Sequence, residues 1–373
     1  MTAHRAHFFA SISAPAMIGY TVLAAAALLF SVVLNLQVIQ ADITYKTALQ
    51  LDDQGRPDIA IPLYDQVIRL ARSQDYYYLF LGRAYLNRTA ALSDPAERDQ
   101  LFAQAETKLE EARNLNPLNT DHTANLARIN RQWSALAADP ALHAAKAARG
   151  DEFYRQALSL SPHNAGLWNE WAVLAYQLLS DGDTAQARLD ESFRLDSNYE
   201  QTYQFQGDLY TWRANQAAEA DAKQAWYQKA IDAYQHGITM AARRGSPDLN
   251  LRIGLASGYA VTQQFQAAIE QYLLAAPKAA SNQQWQIYQA VAELYRQLGD
   301  AAQARAYGQL ALDGAPDSNK PQLQAWLNAL RSSVKKGRIA RASSAARWIN
   351  TPGWILVLPI CRLIFLPRFC SPN

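Results

Sequence analysis

The feature that most constrains this 373-residue chain is a spaced pattern of small and large apolar residues that recurs along it. Tyr78, Leu81, Gly82 and Tyr85 are followed by Ala105, Leu109, Ala112 and Pro117, the last four within the run AETKLEEARNLNP. FYRQALSLSP repeats the closing half with Tyr154, Ala157 and Pro162, and Trp168 opens a further copy that continues through Ala185, Leu189 and Ser192. Tyr203, Gly207 and Tyr210 pair with Ala230, Tyr234 and Gly237; Leu255, Ala256 and Tyr259 pair with Ala268, Tyr272 and Ala275. Tyr288, Ala292 and Tyr295 precede Ala304, Ala311 and Pro316, and a weaker first copy holds Ala48, Ala60, Tyr64 and Val67. Such a pattern suits pairs of antiparallel helices. Small residues let the two axes approach, and large ones fill the gaps between neighbouring pairs. One pair cannot bury its apolar face alone, so stability accumulates by stacking.

The aromatic-x2-Leu-Gly-x2-Tyr opening and the later Ala and Pro positions resemble the tetratricopeptide repeat (TPR), with a base period of about 34 residues. The resemblance covers residues 41–318 and implies an all-α, right-handed superhelical solenoid of about seven helix hairpins. In the second, third and fifth copies about eleven extra residues separate the two halves, close to three whole turns, so the helical faces stay in phase. Asp94-Pro95 and Asp139-Pro140 read as an N-cap followed by the first helical position. The extra residues are therefore expected to lengthen both helices of each hairpin. PQLQAWLNALRSSVKK, within 319–336, reads as a helix capping the array, and the helical period disappears in 337–373, a basic and apolar tail expected to be poorly ordered.

Ahead of the repeats, AMIGYTVLAAAALLFSVVLNL at 16–36 holds no charge. At about 1.5 Å per residue it reaches roughly 30 Å, enough for a membrane span over about 16–38 within an N-terminal segment 1–40. Its exit, Gln37-Val38-Ile39-Gln40, lacks the small-residue site of a cleaved signal peptide, which favours an uncleaved anchor. Arg5 before the span and Lys46 and Arg56 after it leave the orientation weakly specified.

Chemistry is hard to find. From residue 318 onward there are nine of the 35 basic residues and none of the 33 acids, which leaves residues 1–317 at a net −7. An acidic body argues against nucleic acid. Cys361 and Cys370 stand in the tail and offer the body neither disulfides nor a metal site. His4, His7, His122, His143, His163 and His236 fall in separate segments without ligand spacing, and His163 in SPHN reads as a turn residue. No G-x-S-x-G occurs; Gly254-Leu255-Ala256-Ser257-Gly258 lies inside a helix pattern. Glu110-Glu111 and Asp52-Asp53 read as solvated helix faces. The sequence thus points to no catalytic residue, metal or cofactor, and to a protein that is not an enzyme.

A binding surface remains. In TPR arrays the first helix of each pair lines the concave side, and partners usually lie along it. Carried over by position, this gives Tyr76, Arg83 and Asn87, then Arg128, Arg131 and Gln132, then Asn169, Tyr176 and Gln177. Gln201, Gln204, Asp208 and Trp212 follow, and Gln286, Gln289 and Arg296 close the series. The spaced Lys/Asn/Arg set of chaperone-binding TPR domains is not evident. Amides and aromatics suit a peptide backbone, or a sugar face stacked on Tyr or Trp. Two function classes stay open: a membrane-anchored scaffold recruiting a protein or peptide, or an accessory or truncated part of a glycan-assembly system. The second rests on arrangement and on the phrases LWNEWAVLAY and QTYQFQGDLY, which resemble the TPR tails of bacterial O-antigen ligase-like membrane proteins. Either reading implies a single-pass protein of the bacterial cell membrane, with the side of the repeats weakly specified and leaning extracytoplasmic. Circular dichroism of the body should show more than half helix; a lower content would exclude the solenoid.

Overall fold

The computed structural model describes residues 14–89 and 92–335. The tail 337–373 with its two cysteines, and His4 and His7, lie outside the described residues. Among the described residues there are fifteen α-helices, one short 3-10 turn and no strand. The chain divides into two compact units, Met1–Ile129 and Asn130–Asn373.

The first unit is built from α1 (Ala14–Asp53), α2 (Pro57–Leu70), α3 (Asp75–Thr89) and α4 (Pro95–Leu115), with the start of α5 (Thr120–Leu136). α1 packs on α2, α2 on α3 and α3 on α4. The second holds the rest of α5, then α6 (Pro140–Leu160), α7 (Ala165–Leu178), α8 (Gly182–Leu195), α9 (Glu200–Gln216) and α10 (Ala220–Arg244). It continues with α11 (Leu249–Val261), α12 (Phe265–Ala275), α13 (Gln284–Leu298), α14 (Ala301–Gly314) and α15 (Lys320–Lys335). Within it α7 pairs with α8, α9 with α10, α11 with α12 and α13 with α14, each pair stacking on the next. His143 near the start of α6 ties back to α5, accepting and donating across Ser134 at 2.8–3.2 Å.

The recurring small and large residues are the interior. Leu81, Ala105, Leu109, Ala112, Tyr154, Ala157, Ala185, Leu189, Ala230, Ala256, Ala268, Tyr272, Ala304 and Ala311 are all buried. Their smallness is needed. A Cβ at Gly82 would stand 3.1 Å from the Leu109 side chain, and Cβ atoms at Gly207 and Gly254 would reach 2.5 and 2.6 Å from the Tyr234 ring. Tyr234 on α10 is thus inserted between α9 and α11, with glycine opposing it on both sides.

Local signals act as read. Asp94 and Asp139 accept from the backbone N–H of Ala96 and Ala141 at 3.1 and 3.0 Å, capping α4 and α6. His163 is an exposed turn residue beside Asn164, whose Oδ1 caps α7. The added length is unequally shared. The second helices α4, α6 and α10 have 21, 21 and 25 residues, against 14 in α8 and 11 in α12. The first helices α3, α5 and α9 have 15, 17 and 17, against 14 in α7. In α4 and α6 the Asp-Pro starts account for the asymmetry, because they place the helix origin early and give nearly all the extra turns to the second helix; α10 is lengthened without such a start, from Ala220 after an uncapped Glu219.

Two expectations change at the N-terminus. No boundary separates the apolar segment from the first repeat: α1 is one 40-residue helix, roughly 60 Å long. No Gly or Pro interrupts QVIQADITYKTALQLDD, so nothing ends the helix before Asp53. The Asp52-Asp53 pair is not simply a solvated face either. Asp52 is 3% exposed and accepts from Arg83 at 3.0 Å and Asn87 at 2.8 Å, fastening the end of α1 to α3. Replacing Asp52 with Ala should lower unfolding stability by about 1.5–3 kcal/mol, the worth of charge-assisted bonds to a buried group. Gly254→Ala should cost about 1–3 kcal/mol through overpacking against Tyr234. Urea titration of each variant checks both values.

Candidate protein-binding face

The residues assigned to the concave lining separate into three groups. Some are interior. Asn169 is fully buried; its Nδ2 donates to Thr202 Oγ1 at 3.0 Å, and Thr202 meets Ser192 Oγ at 2.9 Å. Tyr176 is 3% exposed, with its ring 6.2 Å from that of Trp212. Both are removed from the set of contact residues. The small neighbours Ala172 and Ala175 draw α7 close to its partners and enclose these side chains.

Others are engaged within the fold. Arg83 bonds Asp52 and reaches Asp53 at 3.1 Å, its guanidinium 4.7 Å from the Phe80 ring centre. Asn87 also donates to Asp52, and Arg128 donates to Asn125 at 2.9 Å. Arg296 is exposed but pairs with Glu293, which also accepts from Trp326. Tyr76 packs edge-on to Tyr45 at 5.5 Å and lies 4.1 Å from Tyr77, while Tyr77 and Tyr78 are buried. The YYY run is therefore mostly packing. Arg131 and Gln132 are half-buried on α5.

The third group stays accessible, and its centre is α9. Gln201 is exposed, and Gln204, Asp208 and Trp212 are half-buried at spacings of three, four and four along one stripe. Gln177 on α7 is exposed, and on α13 Gln286 and Gln289 are half-buried. Gln286 Oε1 is enclosed without a donor. In the stripe Asp208 stands out. It accepts from the Tyr234 hydroxyl at 2.6 Å, and Gln204 also bonds it. Burial pushes its carboxyl up to about 6, with the two hydrogen bonds opposing the rise.

Sequence reading did not find Tyr234 as the partner of Asp208, because the two lie 26 positions apart on different helices. Nor did it find Tyr259, whose hydroxyl accepts from Gln235 at 2.7 Å, or Arg213, which donates to the Gly182 carbonyl and to Asp183. Among the described residues no group of His, Cys, Asp and Glu is arranged for a metal. Shallow clefts lie at Leu312, Asp317 and Lys320 and at Asp196, Arg243 and Arg244, and no residue of the α9 stripe lines either.

Among solved structures the chain resembles yeast Tom70 at 17% identity and a TM-score of 0.60, covering 84% of this chain and 59% of that one. It also resembles the human IFIT1 dimer with PPP-AAAA, at 14% identity and 0.53, over 80% and 65% of the two chains. A tetratricopeptide repeat protein from Parabacteroides merdae aligns at 13% identity and 0.48, over 78% and 98%.

The fold is TPR-like.

This chain spans under two thirds of the length of Tom70. No family model and no curated protein matches the sequence. The matches lend no support to the resemblance to O-antigen ligase tails.

The Asp208 carboxyl gives this face a pH signature. Its folded-state value lies above the ordinary 3.8, so the folded protein holds the proton more tightly than the unfolded chain. The stabilisation is complete below about pH 4 and is lost as pH rises through about 6. Allowing for its partial exposure, Asp208 should lower stability by about 2 kcal/mol between those limits. Asp208→Asn should abolish that component, which parallel urea titrations at acidic and neutral pH would measure.

Proposed function

We propose that the protein is a membrane-anchored scaffold that holds an extended peptide segment of a partner along the first helices of its repeats. The observation that carries this reading is the α9 stripe Gln201, Gln204, Asp208 and Trp212, which stays at least partly accessible while Thr202, Phe205, Gly207 and Leu209 between them are buried. Carboxamides can donate to and accept from a peptide backbone without requiring charge. Trp212 offers a flat apolar surface with a low entropic cost of fixing its side chain. Asp208, ionised at neutral pH, adds preference for a basic residue in the bound segment. Gln177 on α7 and Gln289 on α13 extend the same chemistry along the second unit.

The anchor is the apolar part of α1, which is long and apolar enough to cross a membrane and has no side chain of its described window buried in the protein. The polar residues inside it are compatible with lipid. Thr21 Oγ1 donates to the Met17 carbonyl at 2.9 Å, and Asn35 Nδ2 donates to the Ser31 carbonyl at 2.7 Å. Each satisfies its donor within the helix. A partner fits the anchor in function as well: confinement to a surface raises the effective concentration of whatever the repeats hold.

A photo-cross-linking residue at Gln204 should capture the partner, and the same residue at exposed Lys229 on α10 should not. Trp212→Ala should weaken capture at Gln204 at least tenfold, in line with loss of an aromatic anchor of about 1.4 kcal/mol or more. Equal capture from both positions would place the interface elsewhere.

A further inference from the structure

The first unit has an edge whose exposed side chains suit a lipid surface better than water. Ile39 is 55% exposed, whereas Ala41, two residues later, is fully buried beneath Val67, Ala71 and Tyr77. Two residues of helix are about 3 Å of rise. The turn between α2 and α3 therefore lies level with the point where the apolar part of α1 ends, with no linker between them. A second turn is held beside the first. Asn116 donates to Asp75 at 2.9 Å and His122 meets the same carboxylate at 2.7 Å, so the α4–α5 turn adjoins the start of α3. These bonds hold the Asp75 carboxyl below its usual range although its burial acts the other way. The opposite end of α3 points away from this level, since Asn87 meets Asp52 at the far end of α1.

On this edge Leu118 is 79% exposed and Leu115 44%, both at the α4–α5 turn. Arg69 and Arg72 are exposed around the α2–α3 turn and pair with no described carboxylate. The nearby acids are largely answered: Asp42 pairs with Lys46 at 2.7 Å, and Asp75 is bonded as above. Asp121 is half-buried in the first turn of α5, with its backbone N–H bonded to Asn119. A large apolar side chain at a turn tip, with unpaired arginines and the half-buried Tyr76 beside Asp75 on the same edge, matches the headgroup zone. There leucine reaches the acyl boundary, arginine reaches phosphate, and tyrosine is at home.

We propose that this edge docks on the headgroup layer of the same bilayer that α1 enters, with Leu118 inserted and Arg69 and Arg72 against lipid phosphates. The inference rests on the anchoring reading above and adds a second, peripheral contact. The first two hairpins thereby stand at a fixed height and orientation on the membrane rather than swinging about a tether.

The test uses the full chain with Cys361→Ser and Cys370→Ser, reconstituted into vesicles of phosphatidylcholine and phosphatidylglycerol. Single cysteines at Phe30→Cys, Leu118→Cys or Ser93→Cys carry an environment-sensitive fluorophore; Ser93 lies in the link at the far end of α3. Lipids brominated along the acyl chains should quench the label at 30 and at 118 and leave the label at 93 bright, with a blue shift at 118. Quenching at 30 without quenching or blue shift at 118 would overturn the docked edge and leave the anchor standing. A bright label at 30 would overturn the anchor and the docking with it. Quenching at 93 as strongly as at 118 would overturn the assigned edge.

Discussion

Close approach between paired helices is the constraint on which the rest of the molecule depends. Gly82 admits Leu109, Gly207 and Gly254 admit Tyr234, and Gly308 admits Trp326 and Leu327. Each contact is between neighbouring helices, so cohesion is assembled from local terms rather than from one central core. Leu323 and Leu327 of α15 extend that scheme to the last described helix, covering α14 and Ala315. Because the interior is made of short-range contacts, the outward faces can vary without loss of the fold. That freedom is what lets an α9 stripe of amides, an acid and an aromatic occupy a surface that packing does not use.

The same locality decides how much was legible in the sequence. The packing positions of each helix could be read because their code sits within a few turns: Leu81 with Gly82, Ala105 with Leu109, Ala185 with Leu189, Ala268 with Tyr272. The caps at Asp94 and Asp139 were legible for the same reason, since an N-cap acts on the next two residues. Asp52 was not. Its burial depends on Arg83 and Asn87, 31 and 35 positions away, and an acid at a helix end looks alike in sequence whether or not such partners arrive. Asn169 illustrates the converse. Its position suggested a lining residue, but Thr202 and Ser192 offer it an interior hydrogen-bond site that no single repeat reveals. Where function and packing share a stripe, position along the helix cannot tell them apart; burial can.

The long first helix alters what an array of this kind does mechanically. A flexible tether would decouple the repeats from the apolar segment, whereas α1 continues unbroken and then serves as the first helix of a packed pair. Tyr45 belongs both to that helix and to the aromatic cluster with Tyr64, Tyr76, Tyr77 and Phe80. Burial pushes its hydroxyl up to about 12, so Tyr45 stays protonated as it packs among these rings. Asp52 with Arg83 and Asn87 then secures the other end of the same helical segment. Two fastenings roughly two turns apart resist both sliding and rotation of α3 on α1.

Asp208 shows how such an array can carry an unfavourable group near its surface. A half-buried carboxyl with a raised value weakens the fold at neutral pH, and the adjoining packing absorbs that cost. Tyr234 is the means. Its ring is gripped by the glycine positions of α9 and α11, and its hydroxyl is delivered to the carboxylate from below. Removing the ring would therefore do two things at once, opening a void between three helices and leaving the acid without its strongest donor. The residue that reads in sequence as a plain packing position of the second helix is, by its hydroxyl, also a donor that opposes the burial-driven rise of the Asp208 carboxyl. Packing code and surface chemistry meet in that side chain.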